Sequence, residues 1–265
     1  MTEKWRLKRD PAPAPPLRHG SCSWSPPPKE QQPTMGMSSG STQQRISHGV
    51  SSLLRRRRLA PLLAMIEAVH RRRGRVDIID VGGTLAYWDI LPPGFLAEHH
   101  VAITLVNLPG GPAPELGSGF SWVGADACDL SRFTDHQFDI VHSNSMIEHL
   151  GSWARMRQFA REARRLAPAL FIQTPNFWFP VEPHLMTPGF HWLPSPLQAA
   201  LLVRTGLGHL VRSPDIDDAM SKVEEFRLLD ARMLSALFPE ATLLRERLGP
   251  LTKSLIAVRE GTAPR

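Results

Sequence analysis

The hydrophobic pattern of the chain changes period repeatedly from residue 76 onward. Short continuous apolar runs, which are typical of buried strands, alternate with segments whose apolar residues recur every three or four positions, as on one face of a helix. The runs predict strands over 76–81, 101–107, 120–126, 138–142 and 169–173. This alternation favours a parallel sheet with crossover helices, which is the α/β class.

The periodic segments predict helices over 52–73, 153–166 and about 197–210, and Asp230 can cap one more short helix. Two last strands, 241–247 and 253–258, are joined through Gly249-Pro250 and predict a closing antiparallel hairpin. Residues 177–229 interrupt the alternation with several prolines and an acidic stretch. They are interpreted as an insertion, or lid, over the strand ends.

The first 50 residues are dominated by Pro, Ser, Gln and Gly. We expect them to be disordered, because they cannot bury enough apolar surface to offset the entropy of ordering. The folded domain is therefore predicted to span 51–265. The excess positive charge belongs to the amino-terminal part of the chain. Residues 1–75 contain 15 Lys and Arg against 4 Asp and Glu, whereas residues 76–265 contain 16 against 21.

Arginine runs at 55–58 and 71–73 flank the first predicted helix. They could contact nucleic acid or an anionic membrane, but no aromatic residues interleave with them, so a solvated charge run is favoured and nucleic acid is not an expected partner. Peripheral membrane contact stays open through this basic region or through the apolar segment 197–211. With no apolar run of about 18 residues, no secretory pattern and no disulfide framework, the sequence predicts a cytoplasmic protein.

A glycine turn, Gly82-Gly83, directly follows the first strand. Glycine leaves no Cβ between the main chain and a ligand, and ligands of open α/β sheets bind at the carboxyl ends of the strands. Asp80 stands at that end. Its carboxylate can hold a cationic ligand group or tie the turn together, and a turn without any ligand is the alternative.

Further motifs follow this turn in a fixed order: Asn107 at the end of the second strand, Gly124-Ala-Asp-Ala-Cys-Asp-Leu130, Phe138-Asp-Ile-Val-His-Ser-Asn-Ser-Met-Ile-Glu-His149, and the closing hairpin. With them, residues 60–260 resemble class I S-adenosylmethionine-dependent methyltransferases, especially the small-molecule branch often called type 11. The resemblance implies a Rossmann-like doubly wound sheet, mostly parallel with an antiparallel carboxy-terminal strand. It also implies S-adenosyl-L-methionine as the cofactor.

The resemblance implies these cofactor-binding residues: Asp80, Gly82, Gly83, Thr84, Asn107, Asp126, Ala127, Ser143 and Asn144. The glycine turn would receive the amino-acid end of the cofactor, with Asp80 holding the ammonium group. Asp126 would accept from the adenine amino group, with the Ala127 backbone facing the ring; an aspartate that only forms the turn is the alternative. Ser143 and Asn144 would lie near the methyl donor.

Asn107 departs from the family, which usually has an acidic residue there that accepts hydrogen bonds from both ribose hydroxyls. An amide oxygen can still accept, but without the strength of a charge-assisted bond. This interpretation predicts that Asn107→Asp keeps or tightens cofactor binding. The alternative is an asparagine that caps the loop before Pro109.

His149 is a candidate general base, because a neutral imidazole can take a proton from a hydroxyl. Ubiquinone-type O-methyltransferases have two glutamates and a histidine in this motif that can bind a metal. Ser145 stands where the first glutamate would be, so no metal site is expected. A packing or helix-start role for Glu148 and His149 is equally open.

Glu182 and His184 are the other candidate catalytic residues. They follow the fifth strand, on the substrate side of such a fold, and could bind or deprotonate a substrate. Trp178 and the pair His191-Trp192 could form a wall beside them. A structured loop held by prolines and buried aromatic rings is the alternative.

The sequence therefore predicts transfer of a methyl group to an O, N or C nucleophile of a small-molecule, saccharide or lipid-linked acceptor. A nicotinamide-dependent oxidoreductase would need G-x-G-x-x-G after the first strand, and Gly82-Gly-Thr-Leu-Ala-Tyr87 does not supply it. A non-catalytic cofactor-binding relative of the same fold stays open, because Thr84, Ala86 and Asn107 depart from the family pattern.

Overall fold

A computed structural model describes residues 42–110, 114–181, 187–207 and 211–261, without the side chains of 42–57. The chain divides into two units, Met1–Ser38 and Ser39–Arg265, and all of the described residues belong to the second unit. The first helix begins at Thr42, within the segment 1–50 for which the composition predicts disorder. The rest of that predicted tail lies outside the described residues, so its disorder stays a prediction.

The helices are α1 Thr42–Arg73, α2 Leu85–Trp88, α3 Phe95–Glu98, α4 Trp153–Leu166, α5 Ser195–Arg204, α6 Ile216–Glu224 and α7 Ala231–Leu237. The strands are β1 Val76–Val81, β2 Val101–Asn107, β3 Phe120–Gly124, β4 Ile140–Asn144, β5 Ala169–Pro175, β6 Thr242–Leu248 and β7 Leu251–Arg259. Two short 3₁₀ helices span Ile147–Leu150 and Phe190–Trp192. No described helix combines the length and the apolar character needed to cross a membrane.

The strands form one seven-stranded sheet in the order β3-β2-β1-β4-β5-β7-β6. Strands β1 to β5 pair in parallel, and β7 pairs antiparallel with both β5 and β6. The chain leaves β1 toward β2 on one side and later returns to place β4 on the other side. This reversal makes a topological switch point at the carboxyl ends of β1 and β4, where open α/β sheets bind ligands. The predicted fold class is confirmed.

Both faces of the sheet are covered by apolar layers, as the β-branched composition of the strands predicts. Ile79 and Val81 of β1 face a layer that includes residues of α4 and α7. Ile78, which alternates with them, faces the opposite layer, where Leu62 and Ile66 of α1 are fully buried. Because side chains alternate along a strand, Asp80 lies on the α1 side of the sheet.

β4 begins and ends two residues later than the predicted 138–142, so that Ser143 and Asn144 also belong to the strand. Asp139 lies just before β4. Its carboxylate accepts from the Asp77 backbone N–H at 2.9 Å and pairs with Arg73. This contact fastens the start of β4 to the end of α1. The local apolar pattern could not indicate it, because the partners lie more than 60 positions away.

The segment predicted as an insertion contains α5 and α6, which pack around a small apolar cluster of their own: Phe190, Ala199, Leu202 and Ala219. α5 ends at Arg204 instead of about 210. The predicted acidic stretch begins α6, where the Asp215 side chain accepts from the Asp218 backbone N–H and caps the helix. Asp230 caps α7 by accepting from Met233, as predicted.

Candidate functional site

The carboxyl ends of β1, β2 and β4 are joined by hydrogen bonds at one edge of the sheet. The Gly82 backbone N–H donates to the Val106 carbonyl at 2.7 Å, and the Ser143 hydroxyl donates to the Val81 carbonyl at 2.9 Å. Asn107 and Gly124 are register partners in β2 and β3, which places Asp126 at the same edge. The structure therefore brings together the strand ends that the sequence motifs single out.

Both glycines of the turn are required by the packing of the protein itself. Gly82 has φ of 77°, and a Cβ there would overlap the Met146 side chain. A Cβ at Gly83 would overlap the carboxylate of Asp80. The glycine pair thus has a structural explanation in addition to the predicted approach of a cofactor.

Asp80 is fully buried, and both of its carboxylate oxygens have partners within the protein. Oδ1 lies 2.6 Å from His142 Nδ1, and Oδ2 accepts from the indole N–H of Trp88 at 2.8 Å. These bonds tie β1 to β4 and to α2, which is the second of the two roles that the sequence allowed. The carboxylate has no exposed surface for an ammonium group in this arrangement, so that role stays a prediction.

His142 belongs to a buried polar cluster that the sequence motifs did not indicate. Its Nε2 atom and the Tyr87 hydroxyl are both buried without a hydrogen-bond partner among the described residues. The ring centroids of His142 and Tyr87 are 4.5 Å apart. Burial raises the pKa of the Tyr87 hydroxyl well above its ordinary value, although Arg58 lowers it. The sequence signal was a histidine at the end of the predicted strand 138–142; the register between β1 and β4 places it beside Asp80.

Asn107 holds the glycine turn rather than the loop before Pro109. Its Nδ2 donates to the Gly83 carbonyl at 2.9 Å, and the residue is half-buried. This bond orients the side-chain amide and leaves Oδ1 as the atom that can accept from a ligand. The acceptor role predicted from the resemblance is compatible with this geometry, and the donor role is additional.

Asp126 forms the turn after β3 and also pairs with a cation. Both of its oxygens accept from Arg155 Nη2, at 2.9 and 3.0 Å, and Oδ1 accepts from the Cys128 backbone N–H at 2.9 Å. Burial raises the pKa of the neighbouring Cys128 thiol to about 11, with Arg155 opposing the shift. The turn-forming role is thus present, while Asp126 and Ala127 remain partly exposed for a ligand.

The end of β4 offers an acceptor that has no partner. The Oδ1 atom of Asn144 is buried and makes no hydrogen bond to any described residue. The next residue, Ser145, has φ of 51° and is held by Gln173, which accepts from its backbone N–H and from its hydroxyl, both at 3.0 Å. An unpaired buried oxygen is costly, so a donor from a ligand at this edge would stabilise it.

Of the candidate catalytic residues, only His149 lies in the described part of the chain, and its side chain is exposed. Glu148 is fully buried and accepts from the Thr174 hydroxyl at 2.9 Å, which supports the packing role for it. Glu182 and His184 lie outside the described residues. The His, Cys, Asp and Glu side chains that the structure describes form no group of three that could hold a metal ion.

The aromatic residues after β5 are partly a structured loop and partly an exposed surface. The Trp192 indole N–H donates to the Phe177 carbonyl at 2.8 Å, and His191 Nε2 lies 2.9 Å from the same oxygen. Trp178 differs, because 62% of it is exposed. Trp192 is 44% exposed, so Trp178 is the more exposed of the two indole rings in the predicted wall.

Comparison with known proteins finds a family match over the segment that contains β2, β3 and β4. The model of a methyltransferase domain family matches residues 101–168, about a quarter of the chain. This segment runs from the first residue of β2 to the residue before β5, and it contains Asn107, Asp126 and Asn144. No curated protein matches the sequence.

Solved structures resemble the chain at low sequence identity. An O-methyltransferase family protein from Burkholderia thailandensis is 14% identical, with 78% of this chain and 57% of that chain covered and a TM-score of 0.45. PigF, solved with SAH, is 14% identical, with 80% and 64% covered and a TM-score of 0.44. A proposed zinc-dependent alcohol dehydrogenase from Rhodobacter sphaeroides is 12% identical, with 71% and 85% covered and a TM-score of 0.42. The chain thus spans little more than half the length of the first of these.

Proposed function

We propose that this chain, which resembles the class I S-adenosylmethionine-dependent methyltransferases, transfers a methyl group from S-adenosylmethionine to an O, N or C nucleophile. The observation that carries the proposal is the position of the family match. Residues 101–168 supply the ends of β2, β3 and β4, and these ends meet the glycine turn after β1 at the switch point of the sheet. The acceptor is proposed to be a small molecule, a saccharide or a lipid-linked glycan.

The residues at this edge fit the cofactor through specific atoms. The Oδ1 atom of Asn107 is oriented by the bond from its amide to Gly83 and can accept from a ribose hydroxyl. The buried Oδ1 of Asn144 can accept from a donor of the amino-acid end. When bound, S-adenosylmethionine supplies an electrophilic methyl group on a sulfonium. The contribution of the chain is to hold donor and acceptor in line, which lowers the entropic part of the barrier.

Equilibrium binding tests the proposal directly. Calorimetric titration of the wild-type protein with S-adenosylmethionine and with its demethylated product should give saturable binding of both. Asn144→Leu removes the unpaired acceptor and should weaken binding about tenfold. Arg157→Gln, on the exposed face of α4, is a matched control that should leave it unchanged. No binding of either ligand at millimolar concentration would remove the proposal.

A second candidate is a non-catalytic relative that keeps the fold. It is favoured by two contacts: the carboxylate of Asp80 is used by His142 and Trp88, and the Met146 side chain packs against Gly82. Turnover separates the candidates once binding is established. Demethylated cofactor that accumulates with any acceptor of a broad panel supports the enzyme, whereas binding with no turnover supports the non-catalytic relative.

A further inference from the structure

A cleft of about 570 Å³ opens at the same edge of the sheet, beside the candidate cofactor site. Its walls are the residues after β5, the start of α7 and the β6–β7 hairpin. The lining includes Trp178, Arg232, Arg245, Leu251 and Leu255. None of the sequence motifs assigned to the cofactor contributes to it.

The cleft carries two guanidinium groups that the fold does not use. Arg232 and Arg245 are exposed, and neither makes a hydrogen bond or ion pair with any residue that the structure describes. The acid in the lining, Asp230, accepts from the Met233 backbone N–H at 2.8 Å to cap α7. Glu246, next to Arg245, is buried with Ser254 on the other face of the sheet. Two arginines and one aspartate thus leave the described lining with one net positive charge.

An apolar surface lies beside these cations. Trp178 is 62% exposed and Leu251 is 44% exposed, and both line the cleft. A large exposed indole can stack on a planar ring, and neighbouring guanidinium groups can bind a carboxylate or phosphate through paired hydrogen bonds. Together they match a ligand that carries a ring and an anionic group.

The strand register gives the distance between one wall of this cleft and the end of β4. β5 ends at Pro175, and the antiparallel β7 begins at Leu251 on the same edge, because Pro175 and Ser254 are register partners. β7 lies two strands away from β4 in the sheet. Asn144 at the end of β4 is in register with Gln173, and Gln173 with Ile256, so Asn144 lies two strand spacings, roughly 10 Å, from Ile256, which adjoins Leu255 of the cleft lining.

We propose that the cleft binds the anionic end of a small, ring-containing acceptor, with Arg232 and Arg245 holding a carboxylate or phosphate and Trp178 stacking on the ring. The nucleophile of such an acceptor lies toward the end of β4, at the end of the molecule away from its anionic group. The position of the nucleophile near β4 rests on the proposed methyl transfer, whereas binding of the acid in the cleft does not depend on that proposal.

A carboxylate, its neutral methyl ester and an aryl phosphate test the cleft. The wild-type protein is titrated by calorimetry with 4-hydroxycinnamate, with its neutral methyl ester and with phenyl phosphate, each to millimolar concentration. We expect at least one of the two acids to bind, and the ester to bind about tenfold more weakly than a carboxylate that binds.

The variants assign this binding to the cleft. R232Q/R245Q should lower the affinity for the acid that binds by about tenfold. R157Q/R161Q removes the same charge from exposed positions of α4 and should leave binding unchanged. Trp178→Leu should weaken acid and ester alike, because it removes the stacking surface. Unchanged thermal midpoints establish that each variant is folded.

Two outcomes overturn the proposal: neither acid binds to the wild type, or the control R157Q/R161Q loses as much affinity as R232Q/R245Q. Titration of S-adenosylhomocysteine on the same samples keeps this result separate from the proposed function. Its failure to bind would remove methyl transfer while leaving acid binding in the cleft testable by the same series. If neither acid binds while S-adenosylhomocysteine does, only the proposal about the cleft is removed.

Discussion

Replacing Asn107 with aspartate should destabilise the glycine turn, which is the opposite of what the family resemblance alone predicts. The Asn107 amide donates to the Gly83 carbonyl at 2.9 Å. Aspartate has an ordinary pKa of about 3.9, so at pH 7 it would be ionised and would have no hydrogen to donate. Two acceptor oxygens would then face each other at a half-buried position.

The magnitude follows from the lost bond and from the oxygens left without a donor. A typical hydrogen bond contributes a net 0.5–1.5 kcal/mol, roughly, and a buried acceptor left unsatisfied costs about 1–3 kcal/mol. Because Asn107 is only half-buried, we expect the free energy of unfolding to fall by about 1–2 kcal/mol. If the turn binds the cofactor, the same energy corresponds to an affinity loss of about five- to thirtyfold.

Urea unfolding at pH 7 measures the first quantity, and calorimetry with S-adenosylhomocysteine measures the second. Asn107→Leu is the matched variant, since it removes the donor without adding a charge next to the Gly83 carbonyl. The aspartate variant should be less stable than the leucine variant at pH 7, and this difference should shrink near pH 4, where the carboxyl becomes protonated and can donate again. An aspartate variant as stable as the wild type, with tighter ligand binding, would refute this reasoning and restore the acceptor role as the whole function of Asn107.

Three further predictions concern the same edge of the sheet. Gly82→Ala should lower the free energy of unfolding, because Gly82 has φ of 77° and the new Cβ overlaps Cβ and Cγ of Met146; in a Met146→Gly background, which removes both atoms, only the cost of the left-handed conformation, about 1 kcal/mol, should remain. Equal effects of Gly82→Ala in both backgrounds, by urea unfolding, would disprove the contact. His142→Leu should cost roughly 3 kcal/mol, because it leaves the buried Asp80 carboxylate without one of its two partners; Asp80→Asn in that background should recover part of the loss, and a cost under about 1 kcal/mol would argue against a hydrogen bond that the buried carboxylate needs. With the other cysteine replaced by serine, Cys128 should react with iodoacetamide at pH 8.5 roughly a hundredfold more slowly than an unperturbed thiol, because its pKa is raised to about 11. The rate should rise steeply toward pH 11, and a rate that is independent of pH would contradict the shift.

The candidate site was visible in the sequence mainly through backbone features. The apolar run of β1 and the glycine pair after it predicted a strand end with a tight turn, and the structure has both. The family resemblance singled out Asn107, Asp126 and Asn144, and parallel pairing brings the ends of their strands to one edge. Such positions are predictable because strand direction and sheet order determine which strand ends meet.

The partners of those side chains were not predictable in the same way. Asp80 was expected to hold a ligand or to tie the turn, and the choice of His142 and Trp88 as its partners depends on the register between β1 and β4. The amide of Asn107, at the end of β2, donates to the carbonyl of Gly83, in the turn after the neighbouring strand β1. A shift of one residue in either register would turn these side chains to the other face of the sheet.

What the sequence determined by itself is therefore the set of elements and their edges, since hydrophobic period, glycine turns and helix caps such as Asp230 act over a few neighbouring residues. What only the tertiary structure decided is which polar atoms are already used and which remain available. The carboxylate of Asp80 is used, whereas the amide oxygen of Asn144 and the guanidinium of Arg245 are available. That distinction arises from packing between residues far apart in the chain, because a hydrogen bond needs its partner within about 3 Å and no local pattern specifies that distance.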